Sequence, residues 1–211
     1  MGFLSKGVKG CFAFFGSGFI LLLVGAVVFR LFVAEPFVVR GSSMAPNFYD
    51  SDYLWIEKIT HRFTEIKRGA VVVFEAPDNP GLVYIKRVIG LPGERVRISN
   101  QHIYISKDRD IFRLEEPYVT VLTEGSIDIT LGEEEFFVVG DNRSVSEDSR
   151  FFGPVHKRAI VGKAWLRLLP SDKRGFIRTP EIKLIKVEKI SKNLYKPGLF
   201  LFPLLVVTDS A

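Results

Sequence analysis

The chain of 211 residues has a single cysteine, Cys11. No intramolecular disulfide is possible, so packing alone must hold the fold. The three histidines, His61, His102 and His156, are scattered and share no ligand spacing. No metal site is expected from them, and none sits in a pattern that would make it a triad base. There is no internal repeat, zinc-finger spacing, basic helix or RNA-binding signature. The net charge of +5 therefore points to an anionic membrane surface and a solvated tail rather than to nucleic acid. With 47% hydrophobic and 25% charged residues the chain is not of the disordered class. No cofactor is expected, and the chain is read as a monomer.

What the sequence does contain begins with a charge-free run from Gly10 to Phe29. About 20 helical residues span roughly 30 Å, the thickness of a bilayer core. The run is longer than the apolar region of a cleavable leader, and RLFVAEPF after it is a poor cleavage site. The expected organisation is a short segment 1–9, a membrane anchor over 10–34, a β-rich domain over 35–170 and a basic tail over 171–211. Lys6 and Lys9 precede the anchor while Arg30 and Arg40 follow it, so the charge rule barely sets orientation.

Beyond the anchor the segments 52–58, 70–75, 83–89, 95–106, 135–140 and 160–169 are short and rich in β-branched and aromatic residues. Gly, Pro, Asn and Asp punctuate them, as expected of strands. RVRIS and HIYIS flank Asn100-Gln101 like a hairpin, although its turn lacks the favoured glycine. Leu91-Pro92-Gly93 predicts a type II turn. The fold class is mostly β. The tail carries Lys183, Lys186, Lys189, Lys192 and Lys196, then GLFLFPLLVV; ten apolar residues broken by Pro203 are too few to span a bilayer. That tail is expected either to lie on a membrane surface or to pack on the β-domain.

Three segments carry chemistry. Ser43 lies on EPFVVRGSSMAPN, where Gly41 permits an irregular backbone and Pro46 ends any regular element. Lys86 lies on VYIKRVIGLPGE, where alternation places Tyr84, Lys86 and Val88 on one face and Ile85, Arg87 and Ile89 on the other. One of the two basic residues must face inward if either face is buried. A buried lysine loses pKa, which makes its neutral amine available as a base for a serine. The third segment, Val138 to Pro154, crowds Asp141, Asn142, Arg143, Ser144, Ser146, Asp148, Ser149 and Arg150 into one loop, either simply solvated or a network that orders a site.

Together, in order and spacing, the three segments resemble the signal peptidase I family. Ser43-Met44-Ala45-Pro46 is similar to the family's Ser-Met-x-Pro box, and Tyr84 to Gly93 to its lysine box. Gly140-Asp141-Asn142-Arg143 followed by Ser146, Asp148, Ser149, Arg150 and Gly153 is similar to its last box. The resemblance covers roughly residues 10–168. It implies a membrane-bound serine peptidase on a coiled β-sheet fold behind one transmembrane helix, on the outer face of a bacterial cytoplasmic membrane. Such an enzyme removes signal peptides from preproteins after small-x-small residues, with Ser43 as nucleophile and Lys86 as general base.

The resemblance further implies that Ser146 orients the lysine and that Phe37, Val39, Met44 and Ile85 line the substrate pockets. Arg87, Asp141, Asp148 and Arg150 would pair and brace the site. There are departures. Gly41 stands where some members carry a serine that lends its hydroxyl to the oxyanion hole, leaving the Ser43 N–H with the Gly41 N–H or a water as donors. Asn47 replaces a common threonine, and Arg40 a proline of some members; the short stretch between the lysine box and the last box implies that the accessory β-domain of some members is reduced here, to the part around 97–133. The rival readings are a dedicated processing peptidase with a narrow substrate, and an inactive membrane-tethered β-domain that binds exported chains.

Overall fold

The computed structural model describes residues 21–25, 34–59, 63–77, 79–108, 110–188 and 206–207. The expected anchor lies mostly outside the described residues, as does the end of the C-terminal segment. Within the charge-free run, residues 21–25 are helical and Leu21 to Val24 are exposed. Among the described residues no helix is long and apolar enough to cross a membrane.

The architecture is mostly β, as expected. In chain order the strands are β1 (Ala34–Val38), β2 (Tyr53–Glu57), β3 (Val71–Glu75), β4 (Val83–Gly90), β5 (Arg95–Ser99), β6 (His102–Lys107) and β7 (Asp110–Glu115). They continue with β8 (Ile127–Thr130), β9 (Glu135–Val139), a one-turn helix α1 (Ser149–Phe152), β10 (Val155–His156) and β11 (Ile160–Leu169). The last are β12 (Gly175–Phe176), β13 (Lys183–Glu188) and β14 (Val206–Val207).

Two sheets result. The first has the order β1-β2-β11-β3-β4-β9-β10, with β12 added on β11. The second has the order β14-β13-β7-β6-β5-β8. The chain between β4 and β9 thus builds most of the second sheet as an insertion. Lys183–Glu188 of the basic C-terminal segment completes it by pairing antiparallel with β7, Leu184 opposite Leu114.

Burial explains the two textures seen in the strands. Val71, Val72, Val73 and Phe74 of β3 are all buried, because the first sheet is covered on both faces. One face carries Val72, Phe74, Val88, Val138, Val155 and Ile160. The other carries Val39, Met44, Leu54, Ile56, Val71 and Val73. Beside these, Phe137, Val139 and Ile89 pack against Val96, Ile98, Ile103, Ile105 and Leu114 of the second sheet. Strand β5 by contrast alternates, with Val96 and Ile98 inward and Arg95 and Arg97 outward, since only one of its faces meets a core. Each such apolar side chain contributes about 1.5–3 kcal/mol on burial.

The expected hairpin forms between β5 and β6, Ser99 opposite His102. Asn100 and Gln101 both take positive φ, 49° and 65°, the backbone of a type I′ turn that needs no glycine when an Asn leads it. The turn after β4 closes with the Glu94 N–H donating to the Leu91 carbonyl at 3.1 Å.

Candidate active site

Ser43 sits on the connection between β1 and β2, and Lys86 near the middle of β4. The Ser43 connection is a set of tight turns: the Ala45 N–H donates to the Ser42 carbonyl and the Phe48 N–H to the Met44 carbonyl. Met44 and Phe48 plug these turns into the core, which leaves Ser43 half-buried at the surface. From the other side the Asn142 N–H donates to the Ser43 carbonyl at 3.0 Å, and the Asn142 side chain to the Ser42 carbonyl at 3.2 Å.

The consequence is contact between two groups 43 residues apart: Lys86 Nζ lies 2.9 Å from Ser43 Oγ, hydrogen-bonded. Lys86 is only 4% exposed. Burial, the largest influence, pushes its pKa down to about 8; Asp148 and Glu147 oppose this by their negative charge, and Arg150 adds to the fall. A hydroxyl against an amine that loses its proton near neutrality is an arrangement for general-base activation of the serine.

Both basic residues of β4 are buried, where alternation alone required one. Arg87 leaves the opposite face and is neutralised there. Its Nε and Nη2 donate to the two oxygens of Asp141 at 2.7 and 2.6 Å, and its Nη1 to the Gly69 carbonyl at 2.8 Å. The Asn47 amide donates to the same Asp141 at 2.9 Å, and Arg87 stacks 4.2 Å above the Tyr118 ring. Asp148 caps α1, accepts the Gly140 N–H at 3.0 Å and holds Arg150 through Nε at 2.8 Å. Arg150 in turn donates to the carbonyls of Arg143 and Ser146. The crowded polar loop is therefore a bonded network rather than a solvated one.

A second brace had no signal in the sequence. Arg143 donates through both terminal nitrogens to Glu116, at 2.9 and 2.5 Å, through one of them to Thr123 as well, and through Nε to the Gly140 carbonyl at 3.1 Å. Arg143 itself stands in the last box. Glu116, in LEEPY, follows no motif, and only the folded chain brings it there.

A cleft of about 300 Å³ runs beside Ser43 and Lys86. Phe37, Val39 and Ile85 line it, with Leu54, Val73 and Val145. Met44 does not: it is 1% exposed in the core beneath, because the turn after Ser43 points it inward. Two other expectations need correction. The Gly41 N–H donates to Asp50 Oδ1 at 2.9 Å, with Gly41 at φ 85°, so that N–H is committed to a carboxylate rather than presented to an oxyanion. The same bond holds the Asp50 carboxyl below its usual range. Ser146 Oγ is buried without a hydrogen-bond partner, so it gives no bond to Lys86.

Ser146 is packed against Gly140 instead. A Cβ at position 140 would stand 2.1 Å from Ser146 Oγ and 2.5 Å from the Ser43 carbonyl oxygen. The Ser43 backbone cannot retreat without breaking its bond to Asn142. Gly140→Ala is therefore expected to lower stability by about 1–3 kcal/mol in urea unfolding and to displace Ser43. A variant with unchanged midpoint and unchanged activity would contradict the contact.

Comparisons with known proteins point to one family. Residues 13–169 match the family described as signal peptidase, peptidase S26. A probable signal peptidase I-2 of Synechocystis sp. is 33% identical over 77% of this chain and 75% of its own length. A signal peptidase I of Leptolyngbya laminosa is 36% identical over 76% of this chain and 81% of its own. Signal peptidase I V of Bacillus subtilis is 35% identical over 68% and 90%.

Proposed function

Since the chain belongs to the signal peptidase family, peptidase S26, and is a serine peptidase by that membership, we propose that it removes signal peptides from exported preproteins with Ser43 and Lys86 as its dyad. The observation that carries this reading is the 2.9 Å contact between Lys86 Nζ and Ser43 Oγ inside a cleft of apolar walls.

An extended substrate lies in the cleft, and the shallow apolar walls at Phe37, Val39 and Ile85 admit small side chains before the cut. Neutral Lys86 accepts the Ser43 proton as the oxygen attacks the scissile carbonyl. The Ser43 N–H faces the developing oxyanion; with the Gly41 N–H held by Asp50, a water or substrate-bound donor completes the hole. The lysine ammonium returns its proton to the leaving amine. The neutral amine then takes a proton from the water that attacks the acyl carbonyl, and returns it to Ser43 Oγ as the ester bond breaks. The buried pairs Arg87–Asp141 and Arg150–Asp148 hold β4 and the 140–150 loop in place around these steps.

The charge-free run before β1 suits an anchor in the bacterial cytoplasmic membrane, with the β-domain on its outer face and a single crossing. The decisive experiment incubates the purified full chain in detergent with a tagged preprotein and maps the cut by mass spectrometry. A single cut after a small-x-small sequence is expected. Intact preprotein after prolonged incubation would overturn the reading and favour a non-cleaving binder.

A further inference from the structure

Away from the cleft lies a second hollow of about 350 Å³, between the end of β11, the segment around β12 and the Tyr118 loop. Five cationic side chains line it: Arg87, Arg167, Lys173, Arg174 and Arg178. No Asp or Glu stands among its lining residues. Two of the five are neutralised from behind. Arg87 is paired with Asp141, and Arg167 lies 3.5 Å from Asp52 while donating to the Asn47 carbonyl.

The other three have no carboxylate partner among the described residues. Lys173 rests over the Tyr49 ring at 4.4 Å, Arg174 gives one N–H to the Leu168 carbonyl at 3.1 Å, and Arg178 makes no hydrogen bond or ion pair with any described residue. Arg167 Nε is buried and makes no hydrogen bond, its carboxylate neighbour being Asp52 at 3.5 Å. Arg167 is nevertheless held in place, stacked 4.6 Å from the Phe48 ring.

Converging cations without a counter-charge repel one another. One anion in the hollow removes that repulsion. We propose that this hollow is a binding site for a phosphate oxyanion. Guanidinium forks approaching from several sides suit a tetrahedral group with several acceptor oxygens, and serve it better than a single carboxylate. The volume exceeds that of a bare phosphate, so an ester substituent fits as well. Beside the hollow Phe176, 66% exposed, packs on Trp165 with ring centroids 5.4 Å apart, an apolar shelf for such a substituent. A phospholipid head group and free phosphate share this chemistry. The site stands independently of the cleavage reaction.

The test is calorimetric, on the full chain in uncharged detergent micelles, titrated with inorganic phosphate and separately with the same micelles doped with phosphatidylglycerol. Saturable binding of at least one probe is expected over undoped micelles. Phosphate binding identifies a free-phosphate site, and binding of the doped micelles alone identifies a head-group site. Arg174→Ala with Arg178→Ala should weaken that binding at least about tenfold, and Arg178→Ala alone, which breaks no internal bond, by a smaller factor. Arg95→Ala with Arg97→Ala removes the same charge from the outer face of β5 and should leave binding unchanged. No saturable binding of either probe overturns the proposal, as does equal weakening by the two double variants, which would indicate diffuse surface charge only.

Discussion

Ser43→Ala is expected to reduce preprotein cleavage by at least about 10⁴-fold in kcat, the scale on which other serine peptidases lose rate when the nucleophile is removed. The loss should fall on kcat rather than KM. Ser43 is half-buried at the edge of the cleft, and the walls that would bind substrate are made by Phe37, Val39, Ile85 and their neighbours. The fold should survive. The Ser43 backbone is held through its carbonyl by Asn142, a bond that alanine keeps. Cleavage by the purified variant within tenfold of the parent would remove Ser43 from the reaction.

The second large effect belongs to Lys86 and has two readouts of opposite sign. With a pKa near 8, about a tenth of the amine is neutral at pH 7 and about nine-tenths at pH 9. The rate should therefore rise close to tenfold per pH unit below 8 and level off above it. A profile flat from pH 5 to 9 would exclude a lysine base of this kind. Lys86→Met should abolish cleavage on the same scale as Ser43→Ala. It should also stabilise the protein. The folded pKa of Lys86 lies below the ordinary 10.5, so between about 8 and 10.5 the unfolded chain holds more protons than the folded one. Parent stability thus rises with pH through that window, and below pH 8 the buried ammonium costs the fold roughly 3 kcal/mol. The variant's advantage in urea unfolding should be largest at pH 6–7 and vanish by about pH 11. A variant less stable than its parent at pH 6 would show that the ammonium helps to hold the fold.

How far these features were legible depended on the range of the interactions. Strand texture is local, so the mostly β class and the β5–β6 hairpin could be read directly. Alternation on β4 separated Lys86 from Arg87 but could not tell which was buried. Both are, because a core covers each face of the sheet, and the pairing of Arg87 with Asp141 joins groups 54 residues apart. The motif boxes marked Ser43, Lys86 and the 140–150 loop, whose roles as nucleophile, base and brace are the proposal above. They could not show that Met44 turns into the core, or that Ser146 Oγ is left without a partner against Gly140. Gly41 and Asp50 are near in sequence, yet their bond depends on the turn between them. Glu116 had no signal at all, since nothing in LEEPY distinguishes a surface glutamate from one clamped by Arg143.

The strand order carries a consequence for when activity can arise. β1 pairs with β2, and β3 with β4, as two local hairpins that share no ladder with each other. The first carries Ser43 on its connection and the second carries Lys86. Among the described residues β11 is the strand that bridges them within the sheet, bonded to β2 along one edge and to β3 along the other. A nascent chain emerging from the ribosome displays serine and lysine early, but the splice that sets their spacing arrives after nearly the whole domain has been made. The Asn142 clasp on Ser43 also comes late. Contact between Ser43 and Lys86, the proposed dyad, therefore waits on a strand that contributes none of the proposed chemistry.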